Sequence, residues 1–162
     1  MSDIEETTIE TAIETEGGNI EKYLIFSIFG RQYAFQSRLI SEITMFDAVY
    51  PLPLLPSYIL GVINRYSIPY ALFDIGLLLF NTPSPRGKVL VFKDNIDRIA
   101  FLIDDVSGIA DIPNEDLLDI ERDKRSEDIT EAVSASFAWN NTNVLVLAIQ
   151  RVLNHVSNGE KF

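Results

Sequence analysis

Apolar positions along this chain come in short runs and alternations rather than at helical spacing, which predicts strands separated by tight turns. Tyr23-Leu24-Ile25-Phe26-Ser27-Ile28 and Gln32-Tyr33-Ala34-Phe35 flank Gly30-Arg31, where glycine supplies the positive φ of a hairpin turn. Ser37 is placed to cap a short helical turn, with Leu39, Ile40 and Ile43 at helix-like spacing, and residues 43–50 return to extended chain. Pro51, Pro53 and Pro56 then stop sheet pairing, because proline has no N–H to donate. Residues 59–63 are too few for an ordinary helix and Gly61 and Pro69 would weaken one. Their β-branched content predicts a buried strand that turns at 64–67 into a second.

A helical turn at 77–80, a loop at 81–87 and a second strand pair follow. The pair is 88–92 and 98–104, around a turn at 93–97. Residues 132–139 and 144–149 predict a last hairpin about Asn140-Asn141-Thr142-Asn143, whose asparagines tolerate left-handed geometry. Val152, Leu153 and Val156 continue helically from Ile149 to an end near Asn158-Gly159. The second strand pair lies over the first at a constant offset of 66 residues. Leu24/Leu90, Phe26/Phe92, Ala34/Ala100, Phe35/Phe101, Ser41/Ser107 and Ile43/Ile109 are then identical. Identity together with the same order of strands and turns predicts two like subdomains.

Length and charge narrow the partners. The 162 residues suffice for one domain or two closely fused small ones with a substantial core. A formal net charge of −11 disfavours a nucleic-acid backbone, whose affinity rests on Lys and Arg releasing counterions, and disfavours anionic membrane surfaces likewise. The chain has no cysteine and no apolar run long enough to span a bilayer, and its first residues lack a signal-sequence pattern. The expected location is the cytoplasm, without membrane insertion. Up to Glu21 the chain carries seven acidic residues and no basic partner before Lys22, which predicts a disordered acidic tail over 1–21. The charged stretch 113–130 reads as a surface connection with a brief helical turn at 114–118.

Candidate chemistry is sparse. A single histidine, His155, removes most metal clusters and acid-base triads, and no phosphate loop or nucleophile motif is present. Asp104 and Asp105 are adjacent at a strand end, so their side chains point to opposite faces and do not converge on one substrate. No catalytic residue, metal site or cofactor is assigned.

The words Gly61-Val62-Ile63-Asn64 and Phe73-Asp74-Ile75, with their spacing, resemble the centre of a CheW-type adaptor domain. Tyr23 to Phe26 with Tyr33-Ala34, Ile40-Ser41-Glu42-Ile43, the proline-containing approach at 51–56, Ile99 to Ser107 and the closing segment 144–153 are similar to further parts of that family in the same order. Three departures stand out: the family's Leu-Arg-Gly is lost, Ala100 stands where glycine is usual, and the glycine-rich approach to the last strand is absent. Without gaps Leu-Arg-Gly falls on Arg65-Tyr66-Ser67; a small local shift puts Arg65 on its arginine and Pro69 on its proline. Both registers stand.

The resemblance implies two packed five-stranded SH3-like barrels with short helices and a C-terminal helix, residues 22–158 forming the domain as two intertwined subdomains. It implies no catalysis and no cofactor. It implies a scaffold that couples the cytoplasmic tip of chemoreceptors to the regulatory domain of the histidine kinase CheA, receptor helices docking between the barrels. Ile40, Glu42, Gly61, Val62, Asn64, Arg65 and Tyr66 are the partner-binding residues by matched position. Glu42 and Arg65 carry the stronger case, since burial of either charge is costly unless it is paired. Two other readings are open: a CheW-like module of another signalling complex, and an acidic β-barrel ligand-binding protein or enzyme. Deleting residues 1–21 is expected to leave the melting temperature nearly unchanged, as circular dichroism would measure.

Overall fold

A strand that is apolar on both faces needs cover on both, and this requirement organises the fold. The computed structural model describes residues 19–120 and 131–157. Its strands are β1 (Ile20–Ile28), β2 (Arg31–Gln36), β3 (Ile40–Met45), β4 (Ile59–Arg65), β5 (Ile68–Asp74), β6 (Lys88–Phe92), β7 (Ile99–Ile103), β8 (Asp105–Pro113), β9 (Leu118–Asp119), β10 (Val133–Trp139) and β11 (Thr142–Leu147). Two short helices, α1 (Ile75–Phe80) and α2 (Ile149–Ser157), follow β5 and β11.

Several boundaries differ from the sequence reading. The first turn is Phe29-Gly30, both at positive φ, rather than Gly30-Arg31. Ser37–Leu39 is a single 3-10 turn without a side-chain cap, and Ile40 and Ile43 lie in β3, not on a helix. Asn64 and Arg65 stay in β4, so its turn is Tyr66-Ser67 alone. β8 has no counterpart in the strand reading, because its exposed positions make it look like loop. Ile20 and Glu21 belong to β1, pair with Pro113 and Ile112, and so lie inside the domain rather than in the expected tail; deleting residues 1–21 would remove this pairing and the Glu21–Arg38 ion pair, against the expectation of unchanged melting. Residues 1–18 of that tail and residues 121–130 of the charged connection lie outside the described residues.

The strands form a six-stranded sheet, ordered β8-β1-β2-β11-β10-β9, and a five-stranded sheet, ordered β3-β6-β7-β5-β4. Neither ladder closes as a perfect five-stranded barrel. Instead the chain leaving one edge reaches the other: β9 follows β8 and pairs with β10, and Tyr50 follows β3 and bonds both ways with Val62 of β4 at 2.8 and 2.9 Å.

The two sheets are built alike, each from both halves of the chain. In the first sheet Leu24 pairs with Phe35 and with Ile109; in the second, Leu90 pairs with Phe101 and with Ile43, the same contacts shifted by 66 residues. Even the irregularities match: the ladder of β3 skips Ser41 and that of β8 skips Ser107. β4 and β5 correspond to β10 and β11 in the same way, with Ile63 opposite Tyr70 and Phe137 opposite Val144. β3 leaves its own hairpin to pair with β6, and β8 crosses back to β1, so the halves exchange strands.

Three apolar clusters result. Tyr23, Ile25, Phe137 and Val144 fill the first sheet, Ile63, Tyr70, Val89 and Leu102 the second, and the largest cluster lies between them. At its centre Phe35 stacks on Phe101 at 5.8 Å and on Phe26 at 5.4 Å, and meets Phe92 edge-on at 5.0 Å. All four rings are fully buried. Phe35→Ala is expected to cost roughly 3–5 kcal/mol, read from a lowered urea midpoint, since it opens a cavity that both sheets line.

Candidate functional site

β3 and β4 are the two edges of the five-stranded sheet, so the partner-binding residues expected from the sequence fall along one seam. Ile40 and Glu42 come from β3, Gly61, Val62, Asn64 and Arg65 from β4, and Tyr66 from the turn beyond it. Alternation along β3 leaves Ser41, Ile43 and Met45 exposed and turns Ile40, Glu42 and Thr44 partly inward.

The seam is fastened by charge. The Arg65 guanidinium pairs with the Glu42 carboxylate, both side chains partly buried, and lies over the Tyr66 ring, 5.4 Å from its centroid. Partial burial strengthens the pair while raising the cost of losing either partner. Arg65 Nε is buried without a hydrogen-bond partner. Gly61 and Val62 serve the backbone: a Cβ at Gly61, whose φ is +144°, would run into the Tyr50 carbonyl, and Val62 makes the bridge to Tyr50. Asn64 is exposed beside Met45 and Tyr50 around a cavity of about 210 Å³.

A larger cleft of about 720 Å³ opens on the other side of Arg65. Ser41, Glu42, Tyr66, Tyr70, Lys93, Asp94 and Asn95 line it. The Tyr70 hydroxyl donates to the Asp94 carboxylate, and Ser41 Oγ donates to the Val91 carbonyl at 3.1 Å. Ile40 lies toward a third depression of about 210 Å³ shared with Leu24, Ile43 and Ile109, where the edge strands β3 and β8 of the two sheets approach. Ile43 and Ile109 are 43% and 58% exposed. The repeat matches this pair in the sequence without marking it as a site, and nothing there identifies Tyr70, Lys93, Asp94 or Asn95, which come together only by folding.

The matching seam of the six-stranded sheet is built differently. Trp139 occupies the position of Arg65, and Gly108 that of Glu42; a Cβ on Gly108 would lie 2.9 Å from the indole. Tyr23 and Phe137 stand where the second sheet has Val89 and Ile63. Aromatic rings close one seam, and an ion pair over smaller residues leaves the other hollow.

Asp74 has a further local role. Its buried carboxylate accepts from the Gly76, Leu77 and Ser84 N–H groups, capping α1 and holding the loop after it. Asp104 and Asp105 do diverge: Asp104 accepts from Phe29 N–H at 2.8 Å, and Asp105 pairs with Lys88 at 2.7 Å. Among the described residues no cluster of His, Cys, Asp or Glu is spaced to hold a metal ion, and no helix is long and apolar enough to cross a membrane.

Two strand-exchanged sheets, with an apolar depression between their edge strands and an ion-paired rim, define a mainly β, two-lobed interaction module. The family model of the CheW-like domain matches residues 22–157, so the chain belongs to the CheW-like family of chemotaxis scaffolds and adaptors. Among solved structures, the scaffolding protein TtCheW from Thermoanaerobacter tengcongensis is similar, with a TM-score of 0.70 and 13% identity over 79% of this chain and 84% of that one. That likeness is one of fold. No curated protein sequence matches.

The Asp94 hydrogen bond, followed by burial, raises the Tyr70 pKa above its ordinary value of about 10. Stability drawn from the neutral phenol is therefore intact below about pH 10 and lost as pH rises through the higher folded value. Asp94→Asn is expected to move Tyr70 ionisation to lower pH, followed by phenolate absorbance against a Tyr70→Phe control.

Proposed function

We propose that the protein is a non-catalytic cytoplasmic adaptor that couples the cytoplasmic tip of chemoreceptors to the regulatory domain of the histidine kinase CheA. Residues 22–158, extended at the start by the paired Ile20 and Glu21, act as one CheW-like domain. The observation that carries this reading is the depression between β3 and β8, where Ile43 and Ile109 present apolar surface beside the Glu42–Arg65 pair. A receptor helix needs such a surface, an apolar strip that buries its anchor residues and a charged rim that fixes its register. Membership of the CheW-like family supports the choice of partners.

In this reading Ile40 supports the floor of the depression, Glu42 and Arg65 set orientation, and Asn64 and Tyr66 extend the contact along the seam. Gly61 and Val62 hold β4 against Tyr50, so their contribution comes through the backbone. The test is titration of the full chain with a helical fragment of a receptor tip and with the CheA regulatory domain. Ile43→Asp and Ile109→Asp are each expected to weaken receptor-fragment binding at least about tenfold, with little change in melting, because both side chains are already half in solvent. Capture of neither partner by the wild-type protein would end the adaptor reading.

A further inference from the structure

The repeat makes each sheet a template for the other, because equivalent strands place equivalent side chains in the two interiors. In the first sheet three aromatic rings meet. Tyr23 and Phe137 lie 5.3 Å apart, and Trp139 packs on the same cluster in the room that Gly108 leaves. Their counterparts in the second sheet are Val89, Ile63 and Arg65. Two rings are thus replaced by short branched chains and the third by a cation that turns to Glu42.

All three replacements line the cavity of about 210 Å³, so the hollow lies where the first sheet keeps its rings. Its floor is apolar and shielded from solvent, since Ile63, Leu72 and Val89 are at most 7% exposed, and its mouth opens at Met45, Asp47, Tyr50 and Asn64. The second sheet's own rings do not make up the loss. Phe46 stands in the cavity wall, with the Arg86 guanidinium 5.2 Å from its centroid, and Tyr70 belongs to the larger cleft, where it bonds to Asp94. Close-packed interiors hold few voids wider than a water molecule, and an apolar cavity of roughly 150 Å³ takes up benzene. This one has room for a somewhat larger flat ring. Asp47 and Asn64 at the mouth offer acceptors for an N–H on the outer edge of such a ring.

We propose that this cavity binds a flat aromatic group of indole size, seated on Ile63, Leu72 and Val89 as the rings of Tyr23, Phe137 and Trp139 are seated in the first sheet. The chemistry is that of a tryptophan side chain or of a free indole-type molecule. The cavity shares no lining residue with the depression between β3 and β8, so the site stands independently of the adaptor reading.

The test is an NMR titration of the methyl-labelled full chain with indole. Methyl signals of Ile63, Leu72 and Val89 are expected to shift and saturate, with a midpoint at about 1 mM or below, while those of Ile43 and Ile109 stay in place. Cyclohexanol, similar in size but not flat, should produce no saturable shift. Val89→Tyr and Ile63→Phe each restore a ring that the first sheet has, and each should abolish the response to indole while the rest of the spectrum stays that of the folded protein. Two variants are used because one of them could overpack the interior. A capped peptide with a central Trp identifies the source of the ring: shifts of the same methyls assign it to a protein partner, and a response to indole alone assigns it to a free molecule. No saturable shift with either probe, an equal response to cyclohexanol, or a folded ring-filled variant that still responds would overturn the site.

Discussion

Four phenylalanine rings, Phe26, Phe35, Phe92 and Phe101, hold the molecule together, because each lies on a strand of one sheet and packs into the space between the two. Their strands are buried on both faces: Phe35 points between the sheets while its neighbour Ala34 faces the interior of its own sheet. A shift of one residue in either ladder would put large rings into the small interiors and small residues between the sheets. The matching breaks at Ser41 and Ser107 keep the register while letting each edge strand cross to the other sheet.

On this repeated frame the two sheets differ at their seams. Gly108 and Trp139 pack one seam as a closed apolar joint, and Glu42 and Arg65 make the other polar and partly open. Asp74 caps the first short helix, whereas Ala148, at the matching position, leaves the second without that cap.

Much of the fold was legible because it is written locally. Alternation located the hairpins, and the constant offset from Leu24/Leu90 to Ile43/Ile109 announced two like units. β8 escaped notice because only one of its nine positions is fully buried, so it carries little apolar signal although β1 pairs along it. Ile40 and Ile43 satisfied a helical spacing that sheet pairing with β6 overrode. For the site, the family words led to Glu42, Arg65 and Tyr66, which folding does bring together. They did not lead to Tyr70, Lys93 or Asp94, since the cleft wall joins β5 to the turn after β6 and no short-range pattern encodes such a meeting. Nor did they distinguish Gly61 as a residue of close backbone approach.

Strand exchange also has a consequence for synthesis. The first hairpin, β1 and β2, takes β8 on one side and β11 on the other, so its sheet is unfinished until residue 147 has left the ribosome. The second sheet needs only residues 40–103 and is complete much earlier. The earliest strands of the chain therefore wait longest for their full set of sheet partners.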